Sequence, residues 1–135
     1  MAVQEQEWEE LLAAARQAAR HAYAPYSGFP VGAALLAGGG RVYAGCNVEN
    51  GSFPLGLCAE RAALAAAVAA GVREFTALAL SVPGPGISTP CGACRQVLHE
   101  FAPHLSILVE AREGGRRRHF ELADLLPEPF ILRTE

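Results

Sequence analysis

The sequence predicts an α/β fold, with a mixed sheet of about five strands and helices on its faces. Three observations support this class. Segments with helical periodicity alternate with short apolar runs in the order α-β-β-α-β-α-β-β. Hydrophobic residues make up 51% of the 135 residues and charged residues only 19%, which is enough apolar material for one core. No linker or repeat divides the chain, so residues 1–135 are predicted to form a single domain.

Three segments have the pattern of helices. Residues 5–22 repeat apolar side chains at helical spacing with charges between them. Residues 58–70 consist almost entirely of strong helix formers, and Gly71 is a natural stop after them. A third helix is expected to begin near Cys91, just after a proline, and to end near Phe101.

Five apolar or β-branched runs are expected to form the strands. A run of three glycines separates the first two runs, which predicts a hairpin. The third run alternates leucine and valine with alanine and not with charges, which indicates a strand covered on both faces. A Gly-Gly turn precedes the last run. The five runs are 31–37, 41–46, 75–82, 105–110 and 119–122.

Charge and hydropathy exclude several kinds of partner. The formal net charge is -3, which argues against nucleic acid or an anionic membrane surface as the main partner. No run approaches the ~18–20 apolar residues of a membrane-spanning helix. The first residues are acidic and polar, unlike a secretory leader. A cytoplasmic location is therefore expected.

The cysteines carry the strongest chemical signal. In a reducing compartment, Cys-x-x-Cys with a distant third cysteine indicates a metal or a catalytic site and not a disulfide. Cys91 and Cys94 are expected on one side of a first helical turn, and Cys58 begins the preceding helix in the same way. A helix N-terminus favours the thiolate form that zinc requires. If the two helix starts meet, three thiolates bind one Zn²⁺ and leave its fourth position open, as in catalytic sites.

Two neighbours of Cys58 suit such a site. Glu60 faces another direction on a regular helix, so it is not expected to bind the same ion. At a first turn it can reach a water in the open position and carry protons to a substrate nitrogen. Arg61 is expected to donate to the sulfurs and offset their charge. Cys46, in an apolar strand, is expected to be a buried cysteine outside the site.

The two helix-opening motifs, Cys58-Ala59-Glu60-Arg61 and Pro90-Cys91-Gly92-Ala93-Cys94, resemble those of the zinc deaminases. From about residue 11 to residue 130 the sequence is similar to the small homotetrameric cytidine deaminases. The similarity includes YSGFPVGAA at 26–34, GCNVEN at 45–50 and LLPxxF at 125–130.

The resemblance implies a three-layer α-β-α fold and the hydrolytic deamination of cytidine and deoxycytidine to uridine and deoxyuridine. Ammonia is released, and the reaction belongs to pyrimidine salvage. One Zn²⁺ per subunit would be bound by Cys58, Cys91 and Cys94. Glu60 would be the catalytic proton carrier, and Arg61 would lie beside the sulfurs.

The resemblance also implies a nucleoside pocket at the interfaces of a homotetramer. Asn47 and Glu49 would bind the sugar hydroxyls, and their spacing places them on one face of an extended segment. Phe29 would stack on the pyrimidine. The remaining implied contacts are the main chain around Ala59 and Ser88–Thr89 and the aromatic residues Phe53 and Phe130, which a neighbouring subunit lends.

Other functions fit parts of this pattern. A deaminase of polynucleotides or of nucleoside-like compounds would share the zinc motifs, although a polynucleotide enzyme needs a basic, aromatic channel. A non-enzymatic zinc module would need a fourth ligand, and a thioredoxin-like domain would leave Cys58 and Glu60 unexplained. Arginines in 112–118 are expected to form a solvated or subunit-facing turn. The histidines share no metal spacing and are expected to be structural or solvated: His21, His99, His104 and His119.

Overall fold

A five-stranded sheet lies at the centre of the computed structural model, which describes residues 2–133. The strands are β1 (Gly32–Ala37), β2 (Val42–Cys46), β3 (Phe75–Val82), β4 (Ser106–Ala111) and β5 (Arg117–Glu121). The helices are α1 (Glu5–Ala19), α2 (Ala59–Ala69), α3 (Gly92–Phe101) and α4 (Leu122–Leu125), with a 3₁₀ turn at Phe53–Leu55.

The strand order is β2-β1-β3-β4-β5. The pairs β1–β2, β1–β3 and β4–β5 are antiparallel, whereas β3 and β4 are parallel and are joined through α3. This arrangement confirms the prediction of a mixed sheet of five strands. All six residues of β1 and the last six of β3 are buried, because helices cover both faces of these central strands.

Helices pack on both faces and complete three layers. On one face, α1 presents Trp8, Leu11 and Leu12 to apolar side chains of β1, β3 and β4. On the other face, α2 and α3 pack around a larger cluster that includes Leu78, Leu80 and Ile107. The three-layer α-β-α prediction is therefore also confirmed.

The first helix and the last strand differ most from the sequence prediction, and the other boundaries agree to within one residue. The first helix ends at Ala19 and not at residue 22, and Tyr23 instead forms a bridge with Val48. The last strand begins at Arg117, two residues before the predicted start. It ends at Glu121, one residue early, because Leu122 begins the short helix α4 and is fully buried in the core.

One glycine allows α1 to lie close to the sheet. A Cβ built on Gly32 would lie 1.8 Å from the carbonyl oxygen of Ala15, so only glycine fits there. No helix among residues 2–133 is long and apolar enough to span a membrane.

Candidate metal centre and active-site cavity

The two helix starts meet and bring three cysteines together. Cys58 is the N-cap residue of α2, and Cys91 is the N-cap residue of α3. The sulfur atoms of Cys58, Cys91 and Cys94 all lie within 4.8 Å of one another, and those of Cys58 and Cys91 are 3.8 Å apart. Cys94 N donates a hydrogen bond to Cys91 Sγ at 3.5 Å. Three soft ligand atoms are thus grouped where two helix dipoles present positive charge.

The cluster favours a negative charge on sulfur. The hydrogen bond from Cys94 and the Arg61 guanidinium lower the pKa of Cys58 to about 5. The neighbouring Cys58 sulfur and burial raise the pKa of Cys94, so these two groups resist losing both protons without a cation. Such mutual repulsion between thiolates is what a bound divalent cation relieves.

Arg61 faces the sulfurs from α2. Its Nη2 atom lies 3.5 Å from Cys58 Sγ, and contact with the sulfurs of Cys58 and Cys94 raises the pKa of this arginine. Its Nε atom is buried without a hydrogen-bond partner in the part of the chain that the structure describes. A buried donor of this kind is costly unless negative charge lies nearby. The thiolates supply that charge.

A cavity of about 500 Å³ opens beside the cysteine cluster, within the size range of small-molecule sites. It lies at the carboxyl end of β3, the usual position of ligand sites in open α/β sheets. Its wall combines residues of β3, of the first turn of α2 and of three loops: Ser27, Phe29, Val31, Asn47, Glu49, Cys58, Ala59, Glu60, Leu80, Val82, Ser88 and Thr89.

Glu60 is the buried carboxyl group of this wall. It is only 6% exposed, although it lies one residue inside the N-terminus of α2. Burial raises the pKa of Glu60 to about 7, and the negative charge of Cys58 adds to the effect. A carboxyl group with a pKa in this range can both accept and donate a proton near neutral pH.

A glycine on β2 sets the distance between the sheet and α2. A Cβ built on Gly45 would lie 2.4 Å from Ala63 N and 2.8 Å from Ala59 O, both in the backbone of α2. Glycine at this position lets the helix that carries Cys58 and Glu60 approach the sheet closely. In the sequence, Gly45 is noted only as the first residue of the GCNVEN segment, and this packing role was not predicted. The available signal was a glycine inside a predicted strand, which can indicate the close approach of another backbone segment.

Asn47 and Glu49 both lie in the cavity wall, and each also organises a loop. Asn47 Oδ1 accepts a hydrogen bond from Val31 N at 2.8 Å, and its Nδ2 donates to Phe29 O at 2.9 Å. Glu49 accepts hydrogen bonds from the main chain of Tyr26 and Ser27 and from the Ser27 hydroxyl. The Ser27 hydroxyl bond in particular lowers the pKa of Glu49, which keeps it ionised.

The other predicted aromatic residues lie outside this cavity. Phe53 is 73% exposed, contacts the Tyr26 ring edge-on and lines an adjacent cavity with Ser27 and Glu49. Phe130 is 68% exposed, and its main chain exchanges two hydrogen bonds with the Gln96 side chain. Within one subunit, therefore, neither ring reaches the cavity that contains Phe29.

Arg95 fixes the loop on the far side of the cavity. Its guanidinium group donates to the carbonyl oxygens of Pro90 and Leu125 and to the hydroxyl of Thr89, at 2.8–2.9 Å. This loop carries Thr89 in the cavity wall and leads directly to Cys91.

The remaining cysteine and the histidines lie outside the metal group. Cys46 is half-buried on β2, whereas full burial was expected. His119 packs edge-on against Trp8 with ring centroids 5.3 Å apart. The arginines of 112–118 were expected in a solvated or subunit-facing turn; Arg112 lies in a turn, but its side chain is half-buried within the subunit and donates to Ser81 and to Pro30 O.

Comparison with known proteins agrees with this geometry. The family model described as "Cytidine and deoxycytidylate deaminase zinc-binding region" matches residues 5–109. Together with the cysteine cluster, it fits one zinc ion per subunit. A cytidine deaminase of Sporosarcina psychrophila is 46% identical over 122 residues, which are 90% of this chain and 90% of the relative. One from Mycobacterium tuberculosis is 47% identical over 127 residues, 93% of this chain and 91% of the relative.

Comparison with a solved structure also indicates a cytidine deaminase fold. The crystal structure of cytidine deaminase from Burkholderia pseudomallei superposes with a TM-score of 0.85 at 47% identity. The match covers 90% of this chain and 98% of that chain. Sequence, fold and cysteine geometry therefore agree, and the chain belongs to the cytidine deaminase family.

Proposed function

We propose that this chain catalyses the hydrolytic deamination of cytidine and deoxycytidine to uridine and deoxyuridine, with one Zn²⁺ per subunit. One observation carries the proposal: a buried carboxyl group, Glu60, lines a cavity of nucleoside size together with Cys58, whose sulfur belongs to the cluster of three cysteines. Family membership supports the same reaction class.

The ligand set suits zinc. In a tetrahedral site with Zn–S bonds of about 2.3 Å, two sulfurs lie roughly 3.8 Å apart. The Cys58 and Cys91 sulfurs have a separation of 3.8 Å, and Cys94 completes the group within 4.8 Å. When bound, zinc supplies a Lewis acid that makes water a nucleophile at neutral pH. Arg61 offsets the negative charge of the three thiolates.

Glu60 moves the protons of the reaction. It accepts a proton from the attacking water and delivers it to N3 of the pyrimidine, which makes C4 more electrophilic. Oxygen then adds to C4. Glu60 takes the remaining water proton to the amino group, and the C4–N bond breaks to release ammonia. Atoms balance as cytidine plus water giving uridine plus ammonia.

The other cavity residues bind and orient the nucleoside. Phe29 stacks on the pyrimidine, and Asn47 and Glu49 hydrogen-bond the sugar hydroxyls. Main-chain groups near Ala59 and in the 88–89 loop contact the edge of the base. Because these contacts hold C4 at the reacting groups, a nucleoside is expected to react much faster than free cytosine.

The charge of the cavity favours nucleosides over nucleotides and polynucleotides. Its wall contains two carboxyl groups, Glu49 and Glu60, and the described wall residues include no arginine or lysine. A 5′-phosphate or a nucleic-acid backbone would therefore meet negative charge without a cationic partner. We expect cytidine and deoxycytidine to be substrates and deoxycytidine 5′-phosphate to be a poor one.

The decisive experiment follows the loss of cytidine absorbance with purified, zinc-loaded protein. We expect activity that a chelator removes and added zinc restores. Glu60→Gln should keep the fold and the zinc but lose turnover by a factor of about 10³ or more, because amide cannot carry the proton. The exposed Glu74→Gln is the matched control. An active Glu60→Gln variant, or turnover of an oligonucleotide alone, would contradict the proposal.

We also propose a homotetramer whose subunits complete one another's pockets. Large apolar side chains are exposed near the cavity loop and near the C-terminus, which is typical of interaction surfaces. They include Phe53, Leu55, Phe130, Ile131 and Leu132, each 59–73% exposed. Phe53 and Phe130 would be the aromatic residues lent across the interface. Light scattering should give a tetramer, and an active monomer would contradict this part.

The single domain over residues 1–135, the cytoplasmic location and the role in pyrimidine salvage complete the proposal. All strands join one sheet between helical layers, which supports one domain. The four cysteines are free, which suits a reducing compartment. The products are pyrimidine nucleosides, which suits salvage.

A further inference from the structure

Arg112 reaches from the end of β4 to the loop that forms one wall of the cavity. Its Nη1 atom donates to the carbonyl oxygen of Ser81 at 2.7 Å and to the Ser81 hydroxyl at 3.0 Å. Its Nη2 atom donates to the carbonyl oxygen of Pro30. One guanidinium group therefore ties together strand β3 and residue 30, which is 82 positions away in sequence.

Pro30 lies between two residues of the cavity wall, Phe29 and Val31. Their main-chain groups are held by Asn47, which bonds to Phe29 O, Val31 N and Val31 O. Between them, the carbonyl oxygen of Pro30 accepts from Arg112. Asn47 holds three of the main-chain polar groups of the 29–31 segment and the Ser27 hydroxyl accepts from Phe29 N, so Arg112 supplies the contact to the remaining group, the Pro30 carbonyl.

A buried polar network on the opposite face of the sheet holds Arg112 in place. The Ser81 hydroxyl bridges Arg112 and the carboxylate of Glu110, to which it donates at 3.2 Å. Ser81 is fully buried and Glu110 is 4% exposed. Glu110 in turn accepts two hydrogen bonds from Arg16 of α1. The guanidinium that touches the loop is therefore anchored through two strands, β3 and β4, and the helix α1.

We propose that Arg112 is a positioning residue that sets the orientation of Phe29 and thereby the affinity for the pyrimidine ring. This inference rests on the proposed function, in which Phe29 stacks on the base. Without Arg112, the Pro30 carbonyl loses its partner and the loop gains freedom, so substrate must order it on binding. Glu60 and the three clustered cysteines lie at the starts of α2 and α3, whereas the hydrogen bonds of the Arg112 guanidinium within residues 2–133 go to Ser81 and Pro30. Binding should therefore weaken while the chemical step persists.

The test compares Arg112→Met with wild-type enzyme in steady-state cytidine assays and in calorimetric titration with uridine. We expect KM and the uridine Kd to rise about tenfold while kcat stays within about twofold. Arg112→Lys should raise KM and the uridine Kd less than Arg112→Met does, because an ammonium group can keep one of the two carbonyl contacts although it cannot bridge both as a guanidinium does. Arg116→Met, an exposed arginine of the same turn, should match wild type.

The outcomes separate this inference from the proposed function. Wild-type protein without cytidine turnover would overturn the proposed function and this inference with it. An active wild type with KM and uridine Kd unchanged in Arg112→Met would overturn the inference alone. A fall in kcat as large as the rise in KM would also overturn the inference, since it would place Arg112 in the chemical step. If Arg112→Met does not fold, Arg112→Lys decides: unchanged KM and Kd would overturn the inference.

Discussion

Replacing Gly45 by alanine tests whether close packing of α2 against the sheet sets the geometry of the active site. The new Cβ would lie 2.4 Å from Ala63 N and 2.8 Å from both Ala59 O and Ala62 C. These are backbone atoms of a helix, so no side-chain rotation can relieve the contacts. The helix must move away from β2.

The structure gives the size of that movement. Ordinary contact begins near 3.4 Å, so the 2.4 Å approach requires a shift of roughly 1 Å. α2 carries Cys58 and Glu60, whereas Cys91 and Cys94 lie on α3, so the shift changes the spacing of the whole site. A displacement of about 1 Å costs catalysis on the order of 10²-fold. Overpacking should also reduce the free energy of unfolding by about 1–3 kcal/mol.

The assay measures kcat/KM for cytidine, zinc content and thermal unfolding on the same preparation. We expect kcat/KM to fall about 100-fold and zinc to be lost at lower chelator concentration. The Tm should fall by roughly 3–10 °C for a domain of this size. Gly39→Ala is the matched control, because a Cβ there meets nothing within 4 Å.

A folded Gly45→Ala enzyme with kcat/KM and zinc retention within twofold of wild type would refute the reasoning. It would mean that β2 bends away and α2 stays, so the glycine would serve the fold and not the site. A loss of Tm without a loss of activity would lead to the same conclusion.

Two further predictions concern the metal ligands and the ion pair between Arg16 and the buried carboxylate of Glu110. Cys91→Ser should lower zinc retention on dialysis and reduce turnover at least 100-fold, whereas Cys46→Ser should leave zinc content and turnover unchanged. Equal zinc content in the two variants would contradict Cys91 as a zinc ligand. Arg16→Met removes two hydrogen bonds to buried Glu110 and should lower the free energy of unfolding by about 1–3 kcal/mol at pH 7, as measured by urea unfolding. Burial opposes ionisation of Glu110, but Arg16 and Ser81 outweigh burial and lower the pKa of this carboxyl group. The stabilisation is therefore present above the unfolded-state pKa of about 4.3 and is lost as the pH falls through the folded-state pKa. The stability difference between wild type and Arg16→Met should therefore shrink in acid, and a constant difference down to pH 3 would contradict the assignment.

Local sequence signals were sufficient for most of the fold. The helix formers of 58–70 and the stop at Gly71 predicted α2 to within a residue at each end. The alternation of leucine with alanine in 75–82 predicted the doubly covered strand β3. The boundary at Leu122 was missed because its burial against the core, and not the local pattern, begins a helical turn there.

The metal centre was also largely visible in the sequence. Cysteines at two helix starts predicted it, and a glutamate two residues after one of them led to the proposal of a proton carrier. These signals are local: each motif occupies a single helical turn, so a regular helix determines how its side chains are arranged. The structure then brings Cys58 together with Cys91 and Cys94.

Tertiary packing determined which residues line and support the cavity beside the metal centre. Arg112 is in a charged run that indicates a solvated or subunit-facing turn, yet the pairing of β4 with β3 places its guanidinium against Ser81 and the Pro30 carbonyl. Phe53 and Phe130 are likewise exposed because no other part of the folded subunit packs over their rings, which the local sequence does not reveal. From the sequence alone one can determine which side chains begin each helix, because residues one turn apart share a face. Which distant segments meet depends on how the layers pack, and only the folded chain decides it.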